Sequence, residues 1–165
     1  MQYVLYLNTE GGNMSTQELN VRIEVRNPKQ QKDIASILGE LQRDFPELNA
    51  RIKAESKGLL PEEAVVIVFV TVASEIVATA VLRFLDKLWN GLKRKDISPS
   101  LSSSESSQRA AEKYLLDIGI IDFEIIERED RGLYVLFVFK SKGASHRLYV
   151  SRSDMRIIKY EKVGS

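Results

Sequence analysis

The sequence predicts an α+β fold, with three strands and two helices in the N-terminal part and a helix followed by an antiparallel β-meander in the C-terminal part. Two observations carry this prediction. Several short segments alternate apolar and polar residues, as half-buried strands do, and longer segments repeat apolar residues at helical spacing. A serine-rich tract separates the two parts. The 165 residues suffice for one ordinary domain or two small ones.

The first alternating segment is LNVRIEVR, from Leu19 to Arg26, which places its valines and isoleucine on one face and its charged residues on the other. This segment predicts a half-buried strand. Asn27 and Pro28 follow as a helix N-cap and a first-turn proline, and an apolar helical stripe then continues to Phe45. We expect the helix to end there, because Pro46 disfavours helical geometry in the residue before it.

The next segments predict two further strands. NARIKAES, from Asn49 to Ser56, alternates strictly. In AVVIVFVTV, from Ala64 to Val72, seven of nine residues are β-branched, which favours a strand over a helix. Ser74 then fits a helix N-cap, with Glu75 as a first-turn acid that interacts favourably with the helix dipole. The apolar run therefore predicts a strand and a helix that meet near Ser74.

From Ile76 to Leu92 the apolar residues form one helical stripe, and the opposite face is polar. A lipid-exposed span would place that polar face in hydrocarbon, so an amphipathic helix of the core is the favoured interpretation. Membrane association through residues 64–92 is the alternative, supported by Trp89 and the basic residues 93–95.

The order strand, helix, strand, strand, helix resembles the first five elements of the split βαβ, or ferredoxin-like, arrangement. In that topology the third strand is central, which accounts for its apolar residues on both faces. One face packs on the helices, and the other would expose an apolar row, so we expect a second subunit or the C-terminal domain to cover it. The residues predicted for this interface are Val66, Val68, Val70 and Val72.

The serine-rich tract predicts a flexible linker. The predicted division is an N-terminal domain at residues 1–96, a linker at residues 97–107 and a C-terminal domain at residues 108–165. After the linker, apolar spacing predicts a short helix with Ser107 as its N-cap and Gly119 as its stop. Four segments at hairpin spacing then predict an antiparallel meander, in which Leu133 to Phe139 is the central strand.

The N-terminus lacks the basic region, the long apolar core and the small-residue cleavage site of a secretory signal, so we expect a cytoplasmic protein. The codons for EGGNM are compatible with a ribosome-binding site just ahead of Met14. Residues 1–13 would then be a leader and Met14 the natural start. The alternative is an extra strand from Tyr3 to Leu7.

Composition excludes several classes of site. The chain has 24 basic and 23 acidic residues, so no overall field selects nucleic acid or an anionic membrane. It has no cysteine, which excludes disulfides, thiolate nucleophiles and cysteine-ligated metals. His146 is the sole histidine, which excludes a histidine-based metal cluster within one chain. Carboxylate sites for Mg²⁺ or Ca²⁺ stay open, and no glycine motif predicts a cofactor.

The sharpest enzymatic hypothesis is a magnesium-dependent nuclease, with Asp122 or Glu124 on one strand and an acid and lysine on the next. Lys140 is present, but Val138 occupies the acid position and cannot bind a metal. For His146 a structural role is favoured over general-base catalysis, because no serine or acid is placed beside it. Solvated charge is the favoured interpretation of three acids around one turn: Glu127, Glu129 and Asp130.

We therefore expect a non-catalytic binding or regulatory protein that acts through protein–protein association, as a homodimer. The alternative is weak nucleic-acid binding through four basic residues of the predicted strands, where acids interleave: Arg22, Arg26, Arg51 and Lys53. The second alternative is membrane association through residues 64–92. An enzyme is expected only if an active site forms across subunits.

Overall fold

Three helices and two antiparallel sheets make up the mixed α+β fold of the protein, seen in a computed structural model that describes residues 2–5, 17–56 and 64–164. The strands are β1 (Gln2–Leu5), β2 (Gln17–Val25), β3 (Ala50–Ser56), β4 (Ala64–Val72), β5 (Glu124–Asp130), β6 (Tyr134–Ser141), β7 (Ala144–Ser151) and β8 (Ile157–Val163). The helices are α1 (Pro28–Asp44), α2 (Glu75–Arg94) and α3 (Ser104–Asp117).

The N-terminal sheet has the order β2-β4-β3, and both pairings are antiparallel. Helices α1 and α2 pack together on one of its faces, and their apolar stripes form the larger core with β2 and β4. The central position of β4 explains its burial on both faces, which contrasts with the alternating burial along β2.

Capping residues and a proline in the sequence correctly predicted where α1 begins and ends and where α2 begins. The side chain of Asn27 accepts a hydrogen bond from the backbone N–H of Gln30 at the start of α1, and that of Ser74 accepts one from Val77 at the start of α2. Helix α1 ends before Phe45, as Pro46 predicts. The predicted change from strand to helix at Ser74 is confirmed. None of the described helices is long and apolar enough to cross a membrane.

The second sheet is the meander β5 to β8, extended at the β8 edge by β1. Helix α3 packs on one face of this sheet, and α2 lies against the other, so α2 is sandwiched between the two sheets. Three residues of the second sheet region belong to the larger core: Leu133, Tyr134 and Ile158. Residues of both halves of the chain thus contribute to the larger core.

The N-terminal segment forms a strand at Gln2–Leu5, which overlaps the predicted strand from Tyr3 to Leu7. It pairs antiparallel with β8, far away in sequence. Met14 lies outside the described residues, so the choice of start codon stays a prediction.

The prediction that Ser107 caps the third helix is wrong. Helix α3 begins at Ser104, and the Ser103 side chain accepts the capping hydrogen bond from Ser106. The serine tract becomes helical because tertiary contacts anchor its start: Ser102 donates from its backbone N–H and its hydroxyl to the carbonyl of Arg152. Ser107 is fully buried inside the helix.

The residues predicted as a linker pack against the N-terminal sheet. Ile97 is buried in the larger core, Pro99 forms a β-bridge with Ile23, and the Ser100 N–H donates to the carbonyl of Arg22. The division of the chain into two domains stays a prediction.

Candidate interaction surface

The predicted interface valines lie inside the chain's own core. Val66 is 4% exposed and Val68, Val70 and Val72 are 0% exposed, and all four pack in the cluster that contains α1 and α2. The side chains on the other face of β4 are those of the intervening residues: Val65, Ile67, Phe69 and Thr71. We call this the outer face of the N-terminal sheet; none of the described helices packs on it.

Charged side chains flank the apolar row on the outer face. The register places Glu24 and Glu55 on either side of Val65, and Arg22 and Lys53 on either side of Ile67. The apolar stems of such side chains cover neighbouring apolar surface, and accordingly Val65 and Ile67 are only 5% and 7% exposed. Phe69 stays half-buried. The outer face is therefore an apolar strip between two charged margins.

The charges on these margins balance. Arg51 donates to Glu18 across the sheet at 2.7 Å, and its guanidinium lies over the Phe69 ring, 5.3 Å from the centroid. Lys53 Nζ lies 3.1 Å from Glu55 on the same strand. Three of the four residues predicted for nucleic-acid contact share this face: Arg22, Arg51 and Lys53. Arg26 follows the end of β2.

The two edges of the N-terminal sheet differ. At the β2 edge, the backbone N–H of Asn20 donates to Asp154 at 2.8 Å and that of Arg22 donates to Ser153 at 3.0 Å, so the β7–β8 turn closes this edge. At the β3 edge, the side chains of residues 51–55 are all exposed. Ile52 is 52% exposed although its neighbours across the sheet are buried. The described chain thus leaves β3 as an open edge.

His146 forms a buried polar pair away from this surface. The side chain is 2% exposed, and its Nδ1 lies 2.7 Å from the hydroxyl of Tyr160, whose ring stacks on the imidazole. Burial lowers the pKa of His146, and the facing Lys162 lowers it further. A neutral, structural histidine is consistent with this environment.

The stability of the protein should therefore fall as the solution is acidified. The pKa of His146 is lower in the folded protein than its ordinary value of 6.5, so the unfolded chain takes up this proton first. The stabilisation is present above pH 6.5, and it is lost as the pH falls from 6.5 through the folded pKa, because the unfolded chain then binds the proton more readily. Urea unfolding at pH 7.5 and 5.0 measures this loss. The variant His146→Phe should lose less stability between the two pH values, and equal losses would contradict the assignment.

A polar cluster lies where α2 meets the β5–β6 turn. The hydroxyl of Tyr134 donates to Asp86 at 3.2 Å, and Arg152 pairs with Asp130 at 3.0 Å. Burial raises the pKa of Asp86, and the hydrogen bond from Tyr134 opposes that shift. Trp89 lines the same open groove. These contacts join the helix to the second sheet.

The groups of the predicted nuclease site come together only in part. Asp122, Glu124 and Lys140 line one open surface groove, and Glu124 is opposite Lys140 on β5 and β6, but the side chain of Val138 has no atom that binds a metal. Within the described residues, no three carboxylate or imidazole side chains are placed to hold a metal ion. Two of the three acids around the turn pair with arginines: Glu129 with Arg131 and Asp130 with Arg152.

Comparisons of the chain with protein-family models, with curated proteins and with solved structures find no match.

Proposed function

We propose that the protein is a non-catalytic binding or regulatory protein of the cytoplasm that acts through association with a second copy of itself at the N-terminal sheet. One observation carries the proposal: within the described residues, helices pack on one face of the three-stranded sheet and the β3 edge is open. At its β3 edge the sheet offers the half-exposed side chain of Ile52 and unpaired backbone groups to a partner.

We also propose that the N-terminal half has a split βαβ arrangement. The strand order β2-β4-β3 with two antiparallel pairings supports a split βαβ, ferredoxin-like arrangement of the N-terminal half. The antiparallel bridge between Ile23 and Pro99 lies along β2, on the side where that arrangement has its fourth strand. The arrangement leaves one sheet face free of helices, as the proposed association requires.

Light scattering combined with concentration-dependent hydrogen exchange tests the proposal. We expect a mass twice the 18.7 kDa of one chain at micromolar concentration. The amides of β3 should gain protection as the protein concentration rises. Strand β5 is the matched control, because it is an exposed edge strand of the other sheet. A monomeric mass, or protection gained at β5 instead, would contradict the proposal.

Nucleic-acid binding through Arg22, Arg51 and Lys53 is the second candidate, because these three residues share one face. Three acids of the same face oppose it: Glu18, Glu24 and Glu55. A phosphate backbone would meet a surface without net charge, so we expect weak binding with little salt dependence. Titration of labelled single- and double-stranded probes at 50 and 200 mM salt distinguishes the candidates, since a steep salt dependence would favour nucleic acid.

A further inference from the structure

The backbone of β3 determines how a second copy could pair with this edge. The Thr71 N–H donates to the carbonyl of Asn49 at 3.2 Å, and Ala50 is opposite Val70 in the continuing register. Antiparallel strands alternate hydrogen-bonded and non-hydrogen-bonded pairs. The backbone groups of residues 51, 53 and 55 therefore point to β4, and those of Ala50, Ile52 and Ala54 point outward to the open edge.

We propose that two copies pair antiparallel along β3, with Ile52 of each chain opposite Ala54 of the other, so that two three-stranded sheets become one six-stranded sheet. This inference rests on the proposed function and specifies the partner and its register. A two-fold axis passes between the two copies of Lys53. The interface is isologous and closes at a dimer.

The outward backbone groups permit three centred registers; charge disfavours one of the two alternatives, and the length of β3 disfavours the other. In the proposed one, Arg51 of each chain is opposite Glu55 of the other, which gives two favourable cross-strand pairs. A register with Ile52 on the axis would instead place Arg51 opposite Lys53 twice. A register with Ala54 on the axis would pair Lys53 with Glu55, but would leave Arg51 beyond the end of the partner's strand.

The other two contacts across the axis are also compatible with pairing of the two strands. On the helix side of the sheet, the half-exposed Ile52 gains the methyl group of Ala54 as its neighbour, so apolar surface is removed from water. The two Lys53 side chains approach each other at the axis, but each lies 3.1 Å from Glu55 of its own chain. Glu55 would then lie between Lys53 of its own chain and Arg51 of the other, which offsets part of the repulsion between the two lysines.

Two other described edges, those of β2 and β5, are less suited to self-pairing. The β2 edge is closed by Ser153 and Asp154. Strand β5 carries a bulge between Ile125 and Glu127, which interrupts the ladder of hydrogen bonds. Its five charged residues carry four negative charges and one positive charge, so two copies of β5 would repel each other: Glu124, Glu127, Arg128, Glu129 and Asp130.

Single cysteines test the register directly, because the natural chain has none. In the proposed dimer, the two Lys53 residues form a non-hydrogen-bonded pair with Cα atoms about 4.5 Å apart, within the range that a disulfide bridges. Under mild oxidation, Lys53→Cys should therefore form a covalent dimer. Ile52→Cys and Ala54→Cys are the matched controls, each on the axis of a competing register. In the proposed register, the two copies of residue 52, or of residue 54, would lie roughly 7–8 Å apart. These two variants should therefore cross-link about tenfold more slowly.

The cross-linking rates and the mass in solution together separate the possible outcomes. Fastest cross-linking of Ile52→Cys or Ala54→Cys would overturn the register. A dimeric mass without cross-linking of any of the three variants would overturn pairing at β3 and leave the proposed association standing. A monomeric mass would remove both proposals, and masses that grow beyond a dimer would indicate head-to-tail pairing of β3 with β5 and overturn the closed dimer.

A proline variant provides an independent test. The N–H of Ile52 points away from β4, so Ile52→Pro removes a donor from the open edge without removing one from the β3–β4 ladder. We expect Ile52→Pro to be monomeric while it keeps a cooperative unfolding transition, and the control Ile52→Thr to stay dimeric. A folded Ile52→Pro variant that is as dimeric as the natural protein would overturn the inference.

Discussion

Replacing Glu161 with alanine is expected to lower the free energy of unfolding by about 3–5 kcal/mol, because it leaves a buried lysine without its counter-charge. Lys159 Nζ lies 2.5 Å from the Glu161 carboxylate, and the two side chains are only 11% and 5% exposed. The ammonium also donates to the hydroxyl of Thr79 on α2 at 3.2 Å and lies over the ring of Tyr149. The pair therefore sits between α2 and the second sheet.

Urea unfolding followed by circular dichroism measures this loss. The exposed pair of Lys113 and Asp117 on α3 offers a matched control, and Asp117→Asn should change stability by less than about 0.5 kcal/mol. The double variant Lys159→Met/Glu161→Leu should recover most of the loss, since it removes both charges and keeps the volume filled. A double variant as unstable as Glu161→Ala would show that packing at this position, and not the unpaired charge, causes the effect.

Replacing Gly132 with alanine is expected to destabilise the protein by about 2–5 kcal/mol, through backbone strain and overpacking together. Gly132 has φ +87°, and an added Cβ would lie 2.5 Å from the Trp89 ring. Gly143 is the matched control, because it has φ +81° but no atom within 4 Å of an added Cβ. Gly143→Ala should therefore show the backbone strain alone, about 1–2 kcal/mol.

The Trp89→Leu background separates the two causes. In that background the ring is gone, so Gly132→Ala should cost about as much as Gly143→Ala does in the natural protein. Urea unfolding of the natural protein, the two single variants Gly132→Ala and Trp89→Leu, and the double variant gives the comparison as a double-mutant cycle. If Gly132→Ala costs the same with and without Trp89, the contact with the ring does not contribute and the strain argument alone remains.

The elements whose ends are set locally could be predicted from sequence. Asn27 and Ser74 have the side chains that cap helices, and the crowding of β-branched residues before Ser74 specifies a strand. The start of α3 could not be predicted in this way, because its serines have no strong helical preference. The chain enters that helix where Ser102 bonds to Arg152, a contact between residues 50 positions apart.

Only part of the candidate surface could be predicted, because the rest also depends on contacts between residues far apart in the sequence. Sequence identifies β4 as apolar on both faces, and it identifies the charged margins on the strands to either side. Two sets of alternating residues in β4 could share the face with those charges. The pairing register decides between them, and nothing local in the strand specifies that register. The register places Ile67, and not Val68, between Arg22 and Lys53.

The closure of the β2 edge by the β7–β8 turn has a consequence for how the chain is made. Asn20 and Asp154 are 134 positions apart, so during synthesis β2 is complete long before the turn that covers it has left the ribosome. A nascent or truncated chain without that turn has an uncovered stretch of β2 as well as the open β3. Such a chain would have two edges available for pairing, so we expect it to extend into polymers, whereas the proposed dimer closes at two copies.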